Sequence, residues 1–154
     1  RALLIARGVD ARDPDTVLVH DAARPAASRE LVRRLLDRWD RDRDDLAGVV
    51  PAVSLSDTVK RVQPDRSDRV RETLRRDQLR AVQTPQLFDF DRLLAAHRGW
   101  DESRTATDDA MMLEHRGETI GLVQGDPENR KITRRIDHET LRVTLGSDGP
   151  GAPP

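Results

Sequence analysis

Cysteine is absent from all 154 residues, which excludes disulfides and thiolate zinc sites. There is no long apolar run and no signal-peptide pattern, so a soluble, cytoplasmic protein with no membrane partner is expected. Charged residues are plentiful at 36%, but neither sign dominates, because the formal net charge is -1. A general nucleic-acid binder would carry a clear basic surplus, so nucleic acid is not the expected partner. Lysine is scarce: Lys60 and Lys131 stand alone among many arginines. A compact ammonium kept in so arginine-biased a chain is a weak hint of a use for it, with chance as the competing account. His20, His97, His115 and His138 show no metal-ligand spacing. No complete glycine-rich, phosphate-cradling loop occurs, and no Ser-His-Asp set can be argued from spacing.

What is present is a periodic but modest apolar pattern, enough for a core in one domain or part of one. Residue 1 is Arg, and Arg1–Ala6 reads as the end of a helix already under way. The chain is therefore expected to be the later part of something longer. The centre of the pattern is Val17-Leu18-Val19-His20-Asp21-Ala22-Ala23-Arg24-Pro25. Val17 to His20 read as a short strand. Asp21 follows at its carboxyl end, where ligands bind in open α/β sheets. An aspartate there can hold a metal ion or a hydroxyl. Ala22 and Ala23 let a ligand approach the backbone, Arg24 offers a fork of donors suited to phosphate, and Pro25 stiffens the exit. A strand followed by a capped turn with Arg24 solvated accounts for the same residues.

Ser28 can cap a helix whose apolar face is Leu31, Val32, Leu35, Leu36 and Trp39. Ala47–Val53 is a short apolar strand, placed near an edge or a bulge by Pro51. Ser56–Val62 and Arg69–Leu74 alternate around a Pro64–Asp68 turn cluster, which predicts a polar hairpin arm over about residues 55–76. A lone two-stranded ribbon is marginal in water, so it is either a flexible surface hairpin or one seated on another subunit. Extended chain ends at Thr84-Pro85, and Asp89 caps a helix with Leu93 and Leu94. Thr107 can cap the next helix, with Asp108 and Asp109 suiting its positive end. A strand over Thr119–Gln124 follows, then a last helix from Asp137 with Leu141 and Leu145. The folded domain is read as residues 1–145, with a disordered Gly/Pro-rich tail over 146–154.

The words VLVHDAARP closely resemble the signature of the 2-C-methyl-D-erythritol 4-phosphate cytidylyltransferases. Asp57-Thr58-Val59-Lys60 looks like that family's first arm strand. Thr84-Pro85-Gln86 resembles its TPQ segment, with Arg76 at its phosphate-binding arginine. Thr107 to Glu114 resembles its threonine-acid helix start. Gly125, Asn129, Lys131, Ile132 and Thr133 look like its G…N-x-K-x-T segment. The pieces run from about Val17 to Asp137 in matching order.

The resemblance implies an α/β, Rossmann-like nucleotidyltransferase fold: a mixed sheet with flanking helices, a projecting β-hairpin arm, and the N-terminal part missing. It implies cytidylyl transfer from CTP to 2-C-methyl-D-erythritol 4-phosphate, with Mg²⁺ as cofactor and release of pyrophosphate. Asp21 and Lys131 are the implied catalytic residues, Asp21 also holding substrate or Mg²⁺. Arg24, Thr107 and Lys131 would line the sugar-phosphate site, with Ala22 beside it. Thr58 and Arg76 would reach over from the arm of a homodimer partner. Several positions depart from the family pattern. The N-terminal glycine-rich loop is missing from these residues, so the chain by itself is expected to be inactive. Arg130 stands at a usual apolar position, and Arg135-Ile136 where Pro-Glu is common. Two other readings stay open: a pentitol-phosphate cytidylyltransferase, whose members commonly lack the second alanine that Ala23 supplies, and a non-catalytic truncated fragment that dimerises through its arm.

Overall fold

In the computed structural model of the protein, the described residues are 3–7, 15–134 and 137. The elements run β1 (Leu3–Arg7), β2 (Thr16–His20), α1 (Arg29–Asp42), β3 (Gly48–Ser54), β4 (Lys60–Gln63) and β5 (Arg66–Thr73). A 3-10 turn (Arg76–Gln78) follows, then β6 (Arg80–Val82), β7 (Gln86–Asp89), α2 (Phe90–Arg98), α3 (Asp109–His115) and β8 (Ile120–Gln124). The last helix expected around Leu141 and the tail from Gly146 lie outside the described residues.

β3 organises the sheet. Along one edge it pairs antiparallel with β7 at Gly48 and Val49, then with β6 from Ala52 to Ser54. Along the other it pairs parallel with β8 over Gly48–Ala52. β7 pairs in turn with β2, and β2 with β1, both antiparallel. The result is a mixed sheet whose side chains alternate between two faces. Val17, Val50 and Phe88 join Leu93 and Ala96 of α2 and Ala110, Met112 and Leu113 of α3. Their sequence neighbours Leu18, Val49 and Leu87 meet Leu35, Leu36 and Trp39 of α1 on the opposite face. Burying each large apolar side chain is worth roughly 1.5–3 kcal/mol, so this two-sided packing is what holds the layers together. Ser28 does cap α1, its hydroxyl accepting from the Leu31 N–H at 3.0 Å, and Asp89 caps α2 by accepting from the Arg92 N–H at 2.8 Å.

Four local expectations are corrected. Arg1–Ala6 is not a helix end: residues 3–7 pair as a strand against the otherwise free edge of β2. Pro51 is not on an edge strand but fully buried within β3. It sits where the neighbouring strand changes from β7 to β6, and its carbonyl still accepts from the Gln83 N–H at 2.8 Å. The hairpin turn is tighter than Pro64–Asp68, since Gln63 pairs with Arg66 and β5 starts there. Extended chain does not end at Thr84-Pro85: Gln86–Asp89 forms the strand that joins β2 to β3. Its burial between two strands overrides its weak local signal.

β4 and β5 form a separate two-stranded sheet that pairs with no other described strand. Its apolar residues face water, Val62 being 43% and Val70 55% exposed. The arm thus projects as expected, with no core of its own. No helix among the described residues is long and apolar enough to cross a membrane.

Gly48 marks the tightest point of the core. A Cβ there would lie 2.3 Å from Cδ1 of Phe88 and 2.9 Å from the Leu87 carbonyl oxygen. Overpacking of this kind costs on the order of 1–3 kcal/mol. Gly48→Ala is therefore expected to lower the unfolding free energy by that amount, seen as a lower urea midpoint at an unchanged slope, and a midpoint equal to the parent's would contradict the packing described.

Candidate functional site

β2 delivers Asp21 to the carboxyl edge of the sheet, and a tight turn follows. The Asp21 carbonyl accepts from the Arg24 N–H at 2.9 Å, and Oδ1 accepts from the Ala23 N–H at 3.0 Å. An aspartate side chain that closes on its own backbone two residues on is a common turn former. Oδ2 is left to face Lys131, whose Nζ lies 2.7 Å away. Ala22 is exposed at the tip, which leaves its backbone open to an approaching group. Arg24 is not solvated: it is partly buried and donates Nη1 to the Asn129 carbonyl at 2.7 Å. The structure therefore brings Asp21, Ala22, Arg24 and Lys131 together, although Lys131 is remote in sequence.

The segment carrying Lys131 is held by side-chain amides. Gln83 pairs with Asp126 as a strand would, donating to its carbonyl at 2.8 Å and accepting from its N–H at 3.0 Å. Asn129 is 0% exposed and donates Nδ2 to the Thr84 carbonyl at 2.7 Å. The Ile132 N–H closes back onto the Ala23 carbonyl at 2.8 Å. Gly125 has no room for a side chain, since a Cβ would sit 2.7 Å from Oε1 of Gln83. Thr84, just before the cis Thr84–Pro85 bond, accepts the Asp21 N–H on its hydroxyl at 2.9 Å. Sequence reasoning missed Gln83 and treated Thr84 and Asn129 only as parts of motifs. The available signal was their position beside apolar strands, where an amide or hydroxyl must find a partner.

Thr107, Thr58 and Arg76 make no hydrogen bond or ion pair with this cluster among the described residues. Thr107 is exposed, and it does not cap α3: Asp108 does, accepting from the Met111 N–H at 3.0 Å. Asp108 is the nearer fit because its backbone is extended and its carboxylate also accepts from Gln86 at 3.1 Å. Thr58 is exposed at the start of the arm. Arg76 donates to the Ser56 carbonyl and lines an open groove of about 410 Å³ with Ser54, Leu55, Asp77 and Arg80.

The electrostatics follow from these contacts. The Lys131 ammonium holds the Asp21 carboxyl below its ordinary value of 3.8; burial opposes this, and the Ala23 N–H adds to it. Burial lowers the Arg24 pKa, opposed by the Asp21 charge, yet a guanidinium stays protonated at neutral pH. No cluster of three or more metal-ligating side chains occurs among the described residues. Asp21 is the carboxylate at this site that could share a cation with a ligand's phosphates. The set as a whole can fix an anionic group against Lys131 and Arg24.

A mixed sheet between helices is the arrangement of a Rossmann-like nucleotidyltransferase, and in this chain an aspartate, a lysine and an arginine gather beyond one strand end. The profile of IspD, 2-C-methyl-D-erythritol 4-phosphate cytidylyltransferase, matches residues 1–146, and the chain belongs to that family. It is 43% identical over 136 residues to a 2-C-methyl-D-erythritol 4-phosphate cytidylyltransferase of Streptomyces avermitilis, covering 84% of this chain and 52% of that protein. It is 40% identical over 144 residues to the bifunctional enzyme IspD/IspF of Allorhizobium ampelinum, covering 90% of this chain and 33% of that protein. The crystal structure of the Francisella tularensis cytidylyltransferase superposes with a TM-score of 0.76 at 30% identity, covering 89% of this chain and 63% of that one. The chain thus spans between a third and about half of these two curated relatives.

Replacing Lys131 by Met removes the largest cause of the Asp21 shift. The Asp21 carboxyl is then expected to titrate closer to 3.8, as read by carboxyl NMR. The sign for stability follows from a carboxyl depressed in the folded state. The parent's advantage over Lys131→Met is full above the ordinary aspartate value and disappears as pH falls through the depressed one. An Asp21 titration identical in both proteins would remove the ion pair from the site.

Proposed function

We propose that this chain is the sugar-phosphate-binding portion of a 2-C-methyl-D-erythritol 4-phosphate cytidylyltransferase. In the reaction a phosphate oxygen of 2-C-methyl-D-erythritol 4-phosphate attacks the α-phosphorus of CTP. The bond to the β-phosphate oxygen breaks, and pyrophosphate leaves. Such chemistry needs little beyond positioning and neutralisation of charge. The observation that carries the reading is the Lys131 ammonium held 2.7 Å from Asp21 beside the partly buried Arg24 guanidinium. Arg24 and Lys131 hold the polyol phosphate, and Asp21 orients Lys131 while offering its carboxylate to the polyol or to Mg²⁺. A lone carboxylate fits Mg²⁺, which is commonly bound through one or two carboxylates together with substrate phosphates. When bound, Mg²⁺ would neutralise phosphate charge. Thr107, exposed on the loop before α3, is given the role the family resemblance implies, lining the same site.

The arm supports a homodimer in this proposal. Val62 and Val70 pair across the arm and are both exposed, and in a dimer a second copy would cover them. Thr58 and Arg76 then act on the partner subunit's substrate.

The substrate assignment is tested in a full-length enzyme carrying this chain, by pyrophosphate release with CTP, Mg²⁺ and a panel of polyol phosphates. Turnover is expected with 2-C-methyl-D-erythritol 4-phosphate, and a preference for a pentitol phosphate would redirect it. In the same assay Lys131→Ala is expected to cost far more than Lys60→Ala. Among the described residues Lys60 donates to Thr73 on the exposed arm, where such contacts contribute little. Equal losses would count against the role given to Lys131.

Mixing two inactive mutants tests the arm. Losing a charged partner of a desolvated phosphate costs on the order of 2–5 kcal/mol, about thirtyfold or more in rate. In an Arg76→Ala/Asp21→Ala heterodimer, action in trans places both lesions in one site and leaves the other intact, so activity should return on mixing. If Arg76 serves its own subunit, mixing restores nothing.

A further inference from the structure

His20 lies outside the group of residues assigned to the reaction, yet both of its ring nitrogens are engaged. Nε2 is 3.1 Å from the Arg24 carbonyl, and Nδ1 is 3.1 Å from the Thr84 hydroxyl. A carbonyl oxygen can only accept, so Nε2 must carry a proton and donate. In the neutral ring Nδ1 is then an acceptor, and the Thr84 hydroxyl donates to it. That hydroxyl in turn accepts the Asp21 N–H at 2.9 Å. The bonds form a directed relay, Asp21 N–H to Thr84, Thr84 to His20 and His20 to the Arg24 carbonyl, which the Arg24 N–H to Asp21 carbonyl bond closes. It clasps the Asp21–Arg24 turn from its first residue to its last and ties it to β7's leading segment.

We propose that His20 is a positioning residue for the sugar-phosphate site, acting as the neutral Nε2–H tautomer that locks the turn presenting Asp21 and Arg24. Without it the turn keeps its internal bonds, from the Ala23 N–H to Asp21 Oδ1 and from the Arg24 N–H to the Asp21 carbonyl. It loses the outer tie that sets its angle to Lys131. Partners behind a functional group commonly cost about 10- to 100-fold when removed, as they do behind metal ligands.

The inference rests on the proposed reaction for its kinetic part, and its other readouts need no substrate. Ring ¹⁵N shifts of the chain are expected to show His20 protonated on Nε2 alone at neutral pH. Protonation on Nδ1, or on both nitrogens, would overturn the proposal. Amide hydrogen exchange should show Asp21 N–H less protected in His20→Ala and in Thr84→Val, with strand β3 unchanged. In the full-length enzyme, His20→Gln keeps a donor near the Arg24 carbonyl, and His20→Asn keeps an acceptor near the Thr84 hydroxyl. Each is expected to recover part of the kcat/KM that His20→Ala loses for the polyol phosphate, with KM for CTP unaltered. Equal Asp21 protection in the parent and His20→Ala would refute the inference. An enzyme with no cytidylyl transfer but the expected tautomer and exchange would instead refute the reaction alone.

Discussion

Three stretches of chain meet on Asn129, which is wholly buried. Its carbonyl receives the Arg24 guanidinium, its amide donates to the Thr84 carbonyl, and its own N–H closes a turn on the Asp126 carbonyl at 3.0 Å. A buried polar group left without a partner costs about 1–3 kcal/mol, and more when charge is involved. Arg24 could not be drawn partly out of water without that carbonyl, and Lys131, two residues on, would not be delivered to Asp21. The site is therefore a property of this knot of amides as much as of the charged groups that stand on it.

The knot is placed by the sheet. β2, β7 and β3 run side by side, so the ends of β2 and the start of β7 fall at one edge. β8 lies parallel to β3 and carries the chain to the same edge at Gly125. There the Gly125 N–H meets the Ala52 carbonyl at 2.8 Å, and the chain turns towards Asp21. α1 on one face and α2 with α3 on the other keep this edge rigid, which is what a reaction governed by positioning requires.

The arm obeys a different rule. It holds together by its ladder and by surface pairs such as Arg61 with Glu72 at 2.7 Å, which are worth little each. Its two exposed valines contribute nothing until something covers them. Within a single chain Arg76 satisfies itself on the Ser56 carbonyl, apart from the cluster around Asp21. A split of this kind is consistent with a site completed by a second copy, as proposed above.

Much was legible in the residues alone. Ser28 and Asp89 as caps, the Leu31-Leu35-Trp39 stripe, the strand before Asp21 and the polar hairpin are all local patterns, set by backbone geometry within a few residues. The resemblance carried by VLVHDAARP named the family and singled out Asp21 and Arg24, and the later G…N-x-K-x-T segment singled out Lys131. Local pattern failed at Pro51, at the strand beyond Thr84-Pro85 and at Thr107, because there a neighbouring strand or a better-placed acceptor decided the outcome. Nor could spacing reveal that Gln83, Thr84 and Asn129 hold the site, or that both nitrogens of His20 are spoken for. Those facts are hydrogen bonds between residues far apart in the chain, and only the strand register that brings the segments to one edge selects which donor meets which acceptor.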